Sequence, residues 1–112
     1  MILARESWPS VLADRSEVRG VFVGGCVDRG DGSRFRAKAH THTGGQNAGY
    51  ICVLAARRLS DRDLMLHELA HLLAGERGHT DTWRKWVLLI GGTLSSTASL
   101  RDYHKHSRTR HA

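Results

Sequence analysis

His67-Glu68-Leu69-Ala70-His71 is the segment of this chain whose residue types and spacing could do chemistry. On a helix turning 100° per residue, two histidines four positions apart stand one turn apart on one face, where two imidazole nitrogens can grip one zinc ion. Glu68 sits one step around the helix. A carboxylate there can reach a metal-bound water without ligating the metal, the general-base position for a hydrolysis. The ordinary alternative is two solvated histidines and a solvated charge, so the surroundings of the motif matter. Tetrahedral zinc with an open position wants three protein ligands, and His79 follows eight residues after His71. Asp81 is a competing third ligand, while Glu76, five residues from His71, would have to fold straight back from the helix end.

The elements that must position these residues can be read from periodicity. Ser60-Asp61-Arg62-Asp63 resembles a capping box, and Leu64, Leu66, Leu69, Ala70, Leu72 and Leu73 supply a wide apolar stripe. A helix from about Asp61 to Ala74 follows, with Gly75 as its stop. Beyond the turn at Gly75 and Gly78, Thr80 or Asp81 can cap a second helix through Trp83, Trp86, Val87 and Ile90, ending at Gly91-Gly92. Upstream, Val21 to Val27 reads as a strand, Asp28 to Gly32 as a turn and Arg34 to His40 as a second strand of period two. A glycine-rich connection leads to a third strand, Tyr50 to Leu54. The expected fold class is therefore α+β: a short antiparallel three-stranded meander packed on the motif helix, with the second helix behind. Pro9 precedes a short helix over Ser10 to Val18.

These residues resemble the SprT-like zinc metallopeptidases, whose pattern is an HExxH helix, a loop, and a third histidine in a Gly-His element followed by an aromatic residue. Here that element is Gly78-His79 with Trp83 beyond it. The resemblance covers roughly 49 to 90. It implies a small zincin-like domain, one zinc per chain held by His67, His71 and His79, Glu68 as catalytic base, and Trp83 as a packing residue that fixes the loop. It further implies peptide-bond hydrolysis of a protein or peptide substrate, an extended chain adding to the strand Tyr50 to Leu54. Position 80 is Thr where the family usually has Gly, and the two cysteines cannot build the zinc ribbon of several relatives. A metzincin is excluded by spacing, since Arg77 stands where its third histidine belongs.

Composition leaves a second reading open. In 112 residues there are 17 Lys and Arg, 14 of them Arg, against 11 Asp and Glu, for a net charge of +6. That balance suits a polyanion as well as it suits solubility, so non-specific DNA binding stands as a candidate partnership. The alternative function is a non-catalytic zinc-stabilised binding domain for nucleic acid or a protein partner. Cys26 and Cys52 lack CxxC spacing and read as reduced, buried, inert thiols of a cytoplasmic protein. His40 and His42 point to one strand face and read as solvated or weakly metal-binding. No apolar run approaches the ~20 residues that span a bilayer, and the first ten residues lack the apolar core of a signal peptide. Residues 1–99 are expected to form one domain and 100–112, with His104, His106 and His111, a basic tail.

Overall fold

The protein is described here from a computed structural model, in which residues 1–94 are described. The expectations for the tail and for the boundary at residue 99 lie outside them. The element order is a 3-10 turn (Arg5–Ser7), α1 (Ser10–Ala13), β1 (Gly20–Val23), β2 (Gly25–Cys26), β3 (Gly30–Asp31), β4 (Ala39–Thr41), β5 (Tyr50–Val53), a second 3-10 turn (Ala56–Ser60), α2 (Arg62–Ala74) and α3 (Asp81–Leu89).

β5 is the strand on which the others are built. Its sequence Tyr-Ile-Cys-Val is apolar and β-branched, and Ile51, Cys52 and Val53 are wholly buried, as a strand covered on both faces must be. β1 lies on one side of it in parallel, Gly20 opposite Tyr50 and Phe22 opposite Cys52. β4 lies on the other side in antiparallel, Ala39 opposite Val53, His40 opposite Cys52 and Thr41 opposite Ile51. The sheet is thus a mixed one of order β1-β5-β4, and the antiparallel meander is corrected. Gly24 and Gly25 carry the physical reason: both take positive φ, which ends the first strand at Val23 and sends the chain into a separate two-stranded ribbon of β2 and β3. Residues 33–38 form no strand, so only Ala39–Thr41 of the expected second strand joins the sheet.

Period-two alternation assigns the two faces. Val21, Val23, Ala39, Ile51 and Val53 face Met65, Leu66 and Leu69 of α2, and Trp8, Leu12 and Val18 close this main core. On the opposite face Phe22, Cys26 and Cys52 form a smaller cluster with Val27 and Phe35 against it. The chain before β1 runs along its free edge, with the Leu3 N–H donating to Val21 O at 2.8 Å and the Val23 N–H to Met1 O at 2.9 Å. α1 is a single turn, shorter than the sequence suggests.

The helices meet their expected limits closely. Asp61 caps α2, its Oδ1 accepting the Leu64 N–H at 3.1 Å, and Gly75 ends it in the left-handed region at φ 71°. Ser60, next to the cap, instead donates its hydroxyl to Arg57 O. Thr80 caps α3, accepting the Trp83 N–H at 3.2 Å. Ala70 of α2 packs on Trp83 and Val87 of α3, which seats the second helix behind the first. The result is a small α+β domain in which helices cover a mixed sheet. Among the described residues no helix is long and apolar enough to cross a membrane.

The entry into β5 is a tight backbone position. Gly49 has φ 98°, its carbonyl accepts the Arg19 N–H at 2.8 Å, and an added Cβ would lie 2.8 Å from that of Arg19. Gly49→Ala is expected to cost about 1–3 kcal/mol from the strained φ and the close approach together, read by chemical denaturation. An unchanged midpoint would mean that the β1–β5 junction is looser than described.

Candidate metal centres

Two clusters of metal-ligating side chains occur among the described residues, each with its ligand atoms within 4.8 Å of one another: His67, His71 and His79, and Cys26, His40, His42 and Cys52.

The first is built on α2 and the turn that follows. His67 and His71 project one helical turn apart with ring centroids 5.0 Å apart, and the loop past Gly75 returns His79 to 4.9 Å from each. The Nε2 atoms of His67 and His79 lie 3.0 Å apart, close to the ~3.3 Å edge of a tetrahedral zinc site with bonds of about 2.0–2.1 Å. His71 Nδ1 lies 3.1 Å from Glu76 O, a geometry in which its N–H donates to the carbonyl and Nε2 is left to ligate. Trp83, fully buried, floors the cluster at 4.6–5.5 Å from the three rings and donates its indole N–H to His67 O at 3.2 Å. It is the packing residue that the sequence suggested. The cluster is completed by His79; Asp81 opens the first turn of α3, and the Glu76 carboxylate accepts the Thr80 hydroxyl at 2.7 Å. Burial, then the neighbouring His71 and His79, lowers the His67 pKa to about 3, so its ring is neutral at ordinary pH.

The second cluster was not assembled by sequence reasoning. Register builds half of it: His40 stands directly opposite Cys52, and His42, two residues on, keeps to the same face. The β2–β3 ribbon then brings Cys26 over from above, its N–H held by Ser33 Oγ at 2.6 Å. Cys26 Sγ is 3.5 Å from His42 Nε2, and His40 Nε2 is 3.2 Å from His42 Nε2. Tetrahedral zinc with Zn–S near 2.3 Å and Zn–N near 2.05 Å would set those edges at about 3.5 and 3.3 Å. The outer partners also suit a metal. His42 Nδ1 faces Asp28 Oδ2 at 3.4 Å, orienting Nε2 inward, and the Val27 N–H donates to Cys52 Sγ at 3.4 Å, which favours a thiolate. Burial, above all, pushes the Cys52 thiol up to about 12, with the nearby Cys26 adding to the rise, and burial followed by His42 pulls His40 down to about 4. Two thiolates and two neutral imidazoles around a divalent ion carry no net charge, which removes this penalty at a stroke. The ligand set therefore fits zinc.

These findings correct the metallopeptidase reading. It required one zinc with an open position, served by Glu68. The cluster with mixed sulfur and nitrogen ligands is a closed set of four, the donor chemistry of a structural zinc. Glu68 is 4% exposed, and its Oε1 accepts the Thr41 hydroxyl at 2.7 Å, so this carboxylate is engaged in tying α2 to β4. Two clusters also replace the single zinc expected. His40, His42 and the two cysteines, read as solvated and as inert, are cluster members. The chain matches no family model, no curated protein and no solved structure. The SprT-like resemblance of 49–90, with the zincin fold and protease activity it implied, is set aside.

The depressed histidines give the metal-free chain a pH dependence. An unfolded histidine takes up its proton near pH 6.5, whereas folded His40 and His67 stay neutral down to about 4 and about 3. Between those limits the unfolded state binds more protons, so the contribution of these two rings is level above ~6.5 and falls as the pH drops through the window. Denaturation of chelator-treated protein at pH 7.5 and pH 5 should give a lower midpoint at pH 5. Equal midpoints would mean that these rings are solvated in the metal-free fold.

Proposed function

We propose that this chain is a non-catalytic, zinc-stabilised binding domain that docks a nucleic acid or protein partner. The observation that carries the reading is the four-ligand set of Cys26, His40, His42 and Cys52, whose sulfur–nitrogen and nitrogen–nitrogen spacings match tetrahedral zinc. A zinc there would tie the β2–β3 ribbon to the β4–β5 edge, two parts of the chain otherwise joined by a small apolar cluster and the Val27 N–H to Cys52 Sγ bond. In a domain of this size, metal binding free energy becomes folding free energy. A second zinc at His67, His71 and His79 ties α2 to the loop before α3 in the same way. The net charge of +6 supports an acidic partner.

Elemental analysis of the purified protein should give two zinc per chain. Cys26→Ser and Cys52→Ser should each lose one, and their melting temperatures should fall toward that of chelator-treated wild type. Were both variants to keep full zinc and the wild-type melt, the Cys/His site would not be a metal site and the reading would fail.

A further inference from the structure

An open cleft of about 1420 Å³ runs between α2 and the segment that leads into β4. His67, His71 and His79 line it, and so do five basic side chains: Arg29, Arg34, Arg36 and Lys38 on the ribbon side and Arg77 on the loop after α2. All five are exposed, and among the described residues none lies within 4.0 Å of a carboxylate.

The acidic residues around the same cleft are differently placed. Asp28 faces His42, Asp61 caps α2 and Glu68 holds Thr41, which leaves Asp63 as the exception. Three of these four carboxylates thus serve the fold, while the basic side chains line the cleft with no carboxylate of the described residues within 4.0 Å. The two metal sites differ in the same sense. Zinc in the two-thiolate cluster is neutral and has four protein ligands. Zinc held by three neutral imidazoles keeps its 2+ charge and is one ligand short of four.

We propose that the cleft is a phosphate-binding site, in which one phosphate oxygen completes the coordination at His67, His71 and His79 and the arginines of both walls hold the others. This deepens the binding-domain reading and rests on it, since it needs a metal at the three histidines. The choice of phosphate over carboxylate follows from counting oxygens. A carboxylate with one oxygen on the metal has a single oxygen left, whereas a tetrahedral phosphate group offers further oxygens to donors arriving from opposite walls. Four of the five basic groups are arginines, whose planar forks match phosphate oxygens in pairs. A phosphodiester in a nucleic acid strand and a free phosphate group present the same chemistry, and the experiment separates them.

The test uses the full chain loaded with cobalt in place of zinc, because thiolate charge-transfer bands report the Cys/His site and the remaining d–d bands report the three-histidine site. Titration with inorganic phosphate at low ionic strength should change the d–d bands saturably and leave the thiolate bands unmoved, with acetate far weaker at equal concentration. Arg77→Ala and Arg36→Ala should each keep both metals and weaken phosphate by about tenfold, the loss of one charge-assisted contact. Displacement of phosphate by a single-stranded oligonucleotide would identify the phosphodiester as the ligand; no displacement would identify a small phosphate compound. A chain that binds two cobalt ions yet shows no saturable response, or arginine variants that bind phosphate as wild type does, would overturn the inference. Only one, thiolate-bound cobalt per chain would overturn the three-histidine metal site beneath it, which is a different failure.

Discussion

Alternation along β4 is the constraint on which both clusters depend. Ala39 faces the main core, His40 the opposite face, Thr41 the α2 side, and His42, just beyond the strand, returns to the face of His40. Pairing with β5 fixes this register by placing His40 against Cys52. The Thr41 hydroxyl lies 2.7 Å from Glu68 Oε1 and 3.1 Å from Glu68 O, so the same short strand positions the helix that carries His67 and His71. A slip of one residue would send His40 and His42 into the aliphatic core and Ala39 and Thr41 into the metal cluster. The wholly buried Ile51 and Val53 forbid that slip, because it would bury imidazoles among groups that offer them no partner.

From that arrangement the two sites acquire opposite electrostatic characters. The Cys/His cluster packs on Phe22, Val27 and Phe35 while Cys26, His40 and His42 also reach the cleft, and a metal with two thiolates would be neutral there. The three-histidine cluster stands on Trp83 at the wall of an open cleft, where a charged metal is tolerated because one side is wet. A neutral set of four protein ligands suits a metal that holds strands together. A set of three neutral imidazoles, which leaves the metal its charge and an open position, suits one that meets a ligand.

Much of the helical half was legible in the sequence, because its determinants are local. The stripe of Leu66, Leu69 and Ala70, the αL Gly75 and the Thr80 cap lie within a few residues of what they control. The shared face of His67 and His71 is likewise a matter of 3.6-residue geometry, and a glycine-rich turn returns His79. The sheet was less legible, since nothing within Gly20–Val23 says that its partner is thirty residues away and parallel. The Cys/His cluster was hidden for the same reason: its ligands come from three segments with no motif spacing, and only the register of β4 on β5 unites them. The signal available was His40-Thr41-His42, two histidines on one strand face, together with two cysteines in apolar strands. The peptidase reading failed where a local motif was asked to stand for a whole site.

X-ray absorption at the zinc edge tests most directly whether Cys26, His40, His42 and Cys52 hold a metal. With two zinc ions per chain and one of them bound by two thiolates, the spectrum should contain a sulfur shell near 2.3 Å averaging about one sulfur per zinc, beside nitrogen at about 2.0–2.1 Å. In Cys52→Ser that sulfur shell should shrink or vanish. A wild-type spectrum made of nitrogen and oxygen scatterers alone would contradict the account, since zinc would then be bound without the cysteines on which the four-ligand site is built.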